Sequence, residues 1–274
     1  MKKILNTYPN LTSYLLAILL FGMALITSTL INKGILKSYF PFSAVIFLTI
    51  ATWYLYKRED VTLNKIGLNL NLKNWLLIPV GILIGGGAFL LAKYLRALYL
   101  GETINVNTQI DTKTILIAFY IILPTVAVEE FLFRGYLFKK TTELTSVTKA
   151  NIIFSLLFMS IHVLDSQVLK NPGMIVLLVI SIPVGHLMYA TAFLKSKSIL
   201  LPIGIHLGNN WATRHLVSTT DNNDSIFYVT DNVSFDTWPS FIAFVLLWNL
   251  LFLLVTFVIW KFDFTWFKNQ LKQE

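Results

Sequence analysis

Eight apolar runs recur along this chain, at about 11–31, 38–56, 75–98, 114–138, 150–164, 174–194, 198–216 and 239–260. Hydrocarbon offers the backbone no hydrogen-bond partners, so such segments cross a membrane as helices that satisfy their own N–H and C=O groups. About 20 helical residues span the ~30 Å hydrocarbon core. The predicted fold is therefore all-α, a polytopic transmembrane helical bundle of about eight spans. The run at 150–164 is short and the run at 198–216 is interrupted by polar residues, so both are expected inside the bundle rather than against lipid. The first run is long for a signal-peptide core and lacks a small-x-small cleavage site, so it is expected to be retained.

Composition agrees. Of 274 residues 55% are hydrophobic and 13% charged, about half the charged share of an ordinary soluble domain. The absence of cysteine excludes disulfides, thiolate metal sites, cysteine nucleophiles and thioether lipid anchors. No internal repeat, low-complexity tract or linker divides the chain. Residues 1–274 are read as a single integral membrane domain, with a catalytic, motif-bearing core at 114–216.

The net charge of +8 would suit nucleic acid, but its distribution points to lipid. With the N-terminus placed inside, one side of the membrane collects Lys2, Lys3, Lys57, Arg58, Lys65, Lys73, Lys139, Lys140, Lys149, Lys195, Lys197, Lys261, Lys268 and Lys272. The other collects Lys33, Lys37, Lys93, Arg96, Lys113, Lys170 and Arg214, while Arg134 lies within a span. This 14-to-7 split follows the positive-inside rule and puts both termini in the cytoplasm. The cations then face anionic headgroups, so membrane lipid is an expected partner and nucleic acid is not. The 218–236 loop, with Asp221, Asp224, Asp231 and Asp236 and no base, is expected outside.

Within the fourth run, Glu129, Glu130 and Arg134 are the only charged residues between Thr114 and Phe138. An ionised carboxylate at bilayer depth costs about 2.5–3.5 kcal/mol on insertion scales, so two of them need a reason. Glu130 and Arg134 are i and i+4, stacked on one face and able to pair, which makes them a helix-pinning ion pair. Glu129, turned about 100° away, is left to face elsewhere. Pro124 frees a carbonyl nearby and is expected to bend the helix or serve packing.

Other runs carry His162, His186 and the sequence His206-Leu207-Gly208-Asn209-Asn210. At 1.5 Å per helical residue, Glu129 lies ~15 Å from Lys139, His162 ~20 Å from Lys149 and His206 ~14 Å from Lys197. Asn210 shares a face with His206. Three helices thus bring carboxylate, imidazole and amide to one slab, whereas His186 is read as a core residue. Asn209 and Asn210 also suit cross-helix bonds, the i+4 spacing favouring Asn210 for the site.

A buried carboxylate, two imidazoles and an amide suit water activation and oxyanion stabilisation. The same Glu129, His162 and His206 would equally bind a divalent metal such as Zn²⁺ with water in the fourth place, and the residues leave the two open. Gly81, Gly85, Gly86 and Gly87 indicate close helix approach, with internal packing favoured over dimerisation. Oligomeric state is not written in the chain.

Glu129-Glu130-x-x-x-Arg134, Phe158-x-x-x-His162 and His206-x-x-x-Asn210, in this order, resemble the CPBP family, which holds the CAAX-processing Ras-converting endopeptidases and the bacterial Abi proteins linked with bacteriocin self-immunity. The resemblance covers about 114–216 and implies an intramembrane endopeptidase. By it, Glu129 activates water assisted by His162, His206 and Asn210 stabilise the oxyanion, and Glu130 with Arg134 supports the site. Some members are described as metalloproteases, so a metal is implied as well. The Lys- and Asn-rich, glycine-poor texture suits a bacterial plasma membrane, and with it a peptide or membrane-protein substrate such as a bacteriocin or pheromone precursor. The leading expectation is hydrolysis in the cytoplasmic half of the membrane. The alternatives are a non-catalytic membrane immunity or regulatory protein acting by binding, and an ion-coupled transporter, for which no inverted repeat is evident.

Overall fold

The computed structural model describes residues 9–219, 223–230 and 233–267. Lys2, Lys3, Lys268, Lys272, Asp221 and Asp231, used above for orientation and loop charge, lie outside the described residues. Eight helices correspond to the eight apolar runs: α1 (Pro9–Ile31), α2 (Ser43–Lys57), α3 (Leu77–Leu100), α4 (Thr112–Phe133), α5 (Val147–Val163), α6 (Pro172–Ser196), α7 (Leu200–His215) and α8 (Trp238–Lys261). Five helical segments, containing α1, α3, α4, α6 and α8, are long and apolar enough to cross a membrane. With 15, 17 and 16 residues, α2, α5 and α7 extend about 23–26 Å, short of a full hydrocarbon core. Side chains cap the starts of α4, α5, α6 and α8; at α4, Asp111 accepts from the Lys113 and Thr114 amides. Bonds from Thr114, its hydroxyl first, hold the Asp111 carboxyl below its ordinary range.

Helix α7 is the axis of the bundle, packed against α3, α4 and α6. Every residue from Leu200 to Gly208 is buried, as its polar interruptions foretold. The companion expectation for the fifth run is corrected. Helix α5 buries only Ala150, Phe154 and Phe158, one stripe at i, i+4, i+8, and exposes Ile152, Ile153, Leu156, Leu157 and Ile161. Those side chains are apolar on every outward face, so lipid solvates them without an inner partner.

Parallel helices α3 and α7 touch backbone to backbone. A Cβ added at Gly81 would lie 2.6 Å from the Ile205 nitrogen, and one at Gly85 2.0 Å from the Ile205 carbonyl oxygen. From the other side, a Cβ at Gly204 or Gly208 would meet the carbonyl oxygens of Ile78 and Ile82 at 2.4 and 2.3 Å. The glycine spacing in α3 therefore serves internal packing. Gly85→Ala is expected to cost about 1–3 kcal/mol by overpacking and to lower the thermal midpoint in detergent. Gly87→Ala, with nothing within 4 Å of the added methyl, should leave it unchanged.

Because α3 and α7 are parallel, their C-termini emerge at the same end, and the segments that follow them pair. A three-stranded sheet forms there in the order β1 (Thr103–Val106), β3 (Phe227–Thr230), β2 (Val217–Ser218). β1 runs antiparallel and β2 parallel to β3. This small element qualifies the all-α expectation without changing the bundle.

A second correction concerns the fourth run, expected to be one helix through residue 138. α4 stops at Phe133, and a separate helix, Tyr136–Leu144, follows. Arg134 leaves helical geometry at φ −130°, and Gly135 takes ψ −137°. A Cβ at Gly135 would lie 2.2 Å from the Phe131 carbonyl oxygen, so the chain turns where a side chain would block it. Glu129 is thus four residues from the end of its helix, while α4 itself continues through Pro124.

Candidate active site

The turn after Phe133 leaves Glu129, Glu130 and Arg134 on the last turns of α4, against α7. Glu130 and Arg134 have fully buried side chains and pair as their spacing predicts, Arg134 Nη1 donating to Glu130 Oε1 at 3.1 Å. The arginine is also clasped between rings, its guanidinium 4.3 Å from the Phe158 centroid and 5.0 Å from that of Tyr189. Such cation–π contacts strengthen when desolvated.

The pair is not closed on itself. His206 Nδ1 lies 2.7 Å from the same Glu130 Oε1, and a carboxylate already paired with Arg134 accepts there, so Nδ1 carries the proton. This directs His206 Nε2 toward Glu129, 3.7 Å from its Oε2. The imidazole therefore stands between the two glutamates, with Tyr189 stacked on it at 4.6 Å and 14°. Glu130 emerges as the residue that fixes the His206 ring, a role i,i+4 spacing could not reveal.

His162 donates Nδ1–H to the Phe158 carbonyl oxygen at 2.8 Å, leaving Nε2 as an acceptor. Glu129, His162, His206, Asn209 and Asn210 together line one cavity of about 470 Å³. Glu129 Oε2 and Asn209 Oδ1 are buried with no protein hydrogen-bond partner among the described residues. The remaining wall is mostly apolar, from α6 and α8. His186 does not line it; it is fully buried against Phe138, ring centroids 5.8 Å apart.

Sequence reasoning gave no site role to four side chains of this region. Tyr189, three residues after His186, stacks on His206. Asn209 stands beside Asn210 on the wall. Lys93, with Arg96, reaches the cavity from α3, although both were counted above only among the cations of the outer side. A lysine and an arginine inside the 75–98 apolar run were the available signal.

Among the described residues no three His, Cys, Asp or Glu side chains come together as a metal-ligand group. Glu129, His162 and His206 share a wall, and each imidazole has Nδ1 engaged, by the Phe158 carbonyl oxygen and by Glu130, which leaves Nε2 as its remaining nitrogen. No step is derived through a metal.

The fold and the cavity define a multi-pass membrane protein with a carboxylate–imidazole centre enclosed by its helices. Residues 111–212 match the family model described as type II CAAX prenyl endopeptidase Rce1-like, the CAAX-protease family that the three motifs resemble. The match runs from the α4 cap into α7 and includes every motif residue. It supports an intramembrane protease. No curated protein and no solved structure matches the chain.

Proposed function

We propose that the protein hydrolyses a peptide bond of a membrane-associated peptide or protein, with Glu129 as the base that activates water. The observation that carries this reading is the 3.7 Å approach of Glu129 Oε2 to His206 Nε2 on the wall of the cavity. Water lodged between two acceptors is held by both, and transfer of its proton to Glu129 leaves hydroxide directed at a carbonyl carbon. His162 Nε2, its tautomer set by the Phe158 bond, is a further acceptor that positions the water. The carbonyl oxygen becomes an oxyanion, and the Asn210 amide is the neutral N–H donor available to it. Removing one such donor elsewhere costs about 3–4 kcal/mol. His206, with one proton given to Glu130, donates to the oxyanion only when doubly protonated. As the tetrahedral adduct collapses, Glu129 returns its proton to the leaving amine.

Glu129 is four residues from the end of α4, and His206 six from the start of α7, so the reacting bond sits toward the lysine-rich ends of these helices. The cavity extends from there toward the end that carries the sheet.

The test uses the purified full chain in detergent with an apolar fluorogenic peptide, with and without chelator. Glu129-dependent cleavage that survives chelation is the expected result. Cleavage by Glu129→Gln at the wild-type rate would remove Glu129 as the base. Immunity or signalling that persists in Glu129→Ala/His206→Ala would favour action by binding alone.

A further inference from the structure

Along the α6 and α8 wall of the cavity, beyond Tyr189, two polar side chains stand among Leu177, Leu178, Ile182, Phe244, Trp248 and Phe252. They are Ser181 on α6 and Asn249 on α8. Between Ser240 and Thr256, Asn249 is the only residue of α8 that is neither aliphatic nor aromatic, and it is 4% exposed. Its Nδ2 donates to the Val245 carbonyl oxygen at 2.7 Å and to Ser181 Oγ at 2.9 Å. A backbone carbonyl only accepts, so the end of the amide facing Val245 is its nitrogen, and both hydrogens of that nitrogen are committed. Oδ1 is turned the other way and accepts no hydrogen bond among the described residues. Ser181 is open in the same sense. Hydroxyls in these helices commonly donate to the carbonyl one turn back, as Ser160, Ser196 and Thr256 do. Ser181 Oγ instead accepts from Asn249, and its O–H has no acceptor among the described residues. The pair thus sets one acceptor and one donor side by side on an apolar wall.

We infer that Ser181 and Asn249 form a subsite for a primary carboxamide, the side chain of a Gln or Asn in the peptide substrate. A carboxamide carries its oxygen and one N–H along the same edge, so it accepts from Ser181 while donating to Asn249 Oδ1. A trans peptide group sends its N–H and C=O in opposite directions and meets only one of the two. A charged side chain is disfavoured, because neither Ser181 nor Asn249 offers it an opposite charge when it leaves water for this wall. An apolar side chain is disfavoured as well, since it shuts both groups away from water and replaces neither bond. The subsite lies apart from the reacting centre. Tyr189 stacks on His206, and Ser181 precedes Tyr189 by two helical turns, about 12 Å along α6. At about 3.3 Å per extended residue, the carboxamide belongs to a substrate residue some three or four positions from the bond that is cut. Asn249 lies outside residues 111–212, so this preference belongs to this chain and is not carried by the family match.

Calling the ligand a substrate rests on the peptidase reading, but binding tests the subsite independently. The probes are fluorescein-labelled hexapeptides of Ala, Val and Leu that carry a single Gln, Met or Glu at each inner position in turn. A C-terminal N-methylamide keeps any other primary carboxamide out of the peptide. Each is titrated by fluorescence anisotropy against full-length Glu129→Gln protein in nanodiscs, with empty nanodiscs as the baseline. At one position or more, the Gln peptide should bind about tenfold or more tightly than the Met peptide, its apolar counterpart of similar size, and Glu should gain nothing over Met. Adding Asn249→Leu should remove the Gln preference while the Met peptide still binds. Ser181→Ala, which leaves the bond from Asn249 to Val245 in place, should weaken the preference several-fold, and it decides the matter alone if Asn249→Leu does not fold. No position at which Gln exceeds Met, an equal gain from Glu, no binding by any peptide, or a Gln preference undiminished by Ser181→Ala would overturn the assignment. Turnover of the same peptides by the wild-type chain reports separately on hydrolysis: a Gln preference that depends on Ser181 and Asn249 but brings no turnover would sink the peptidase reading and leave the carboxamide site standing.

Discussion

Glu129→Gln is expected to lower peptide hydrolysis by about 10²- to 10⁴-fold, the range supplied by a positioned general base, while the protein remains folded and membrane-inserted. Glutamine keeps the shape of the side chain and one oxygen toward the cavity, but it cannot take a proton from water. Glu129 is placed so that this exchange changes chemistry rather than packing: 22% of its side chain is exposed, against 0% for Glu130, and no ion pair to Arg134 depends on it. Single-turnover cleavage with enzyme in excess, beside a thermal-unfolding midpoint in the same detergent, separates the two effects. An unchanged midpoint with a rate reduced a thousandfold is the expected pair of results. The neighbouring substitution Glu130→Gln should give a mixed phenotype, because that carboxylate both neutralises Arg134 and orients His206.

The second large effect is structural. Arg134→Met is expected to destabilise the protein by about 3–5 kcal/mol, because it leaves the Glu130 carboxylate buried without its cation. The guanidinium also fills the space between Phe158 and Tyr189, so Arg134→Lys, which lacks the planar fork and its stacking, should recover little. Arg134→Met/Glu130→Gln should be more stable than Arg134→Met alone, since the stranded charge is gone. The double variant would still lack activity, with His206 no longer held by an ionised acceptor. Reversible unfolding in mixed detergent micelles reads the difference; equal stability of the single and double variants would show that the pair is not the source of the loss.

The two predictions draw on different parts of the sequence–structure relation. The i,i+4 arrangement of Glu130 and Arg134 was legible because helix geometry alone brings those side chains together. That Glu129 stands apart followed from the same geometry. The contact of His206 with Glu130 was not legible, since residues 76 apart in the chain meet only when α7 docks on α4. The seating of α7 on α3 is likewise set by four glycines, Gly81, Gly85, Gly204 and Gly208, whose pairing across two helices no single-helix pattern states. The break at Gly135 was missed because residues 135–138 are as apolar as a helix end in lipid would be, and hydropathy carries no record of the Phe131 carbonyl that excludes a Cβ. Helix α5 was misjudged for a related reason. Its length suggested an interior position, but which neighbours cover a helix is a property of the bundle and not of the helix.

By itself, the sequence determined where the helices lie, because hydrocarbon leaves the backbone few ways to satisfy its hydrogen bonds. It also determined which rare polar residues had to be sheltered, because each is expensive in lipid. Only the tertiary structure decided which of those residues touch: it set one imidazole between two glutamates and brought Lys93 from α3 into their cavity. Hydrophobic burial selects faces without regard to partner, whereas a 2.7 Å hydrogen bond depends on the rotation and axial offset of two packed helices, and those are settled by side-chain volume at distant positions.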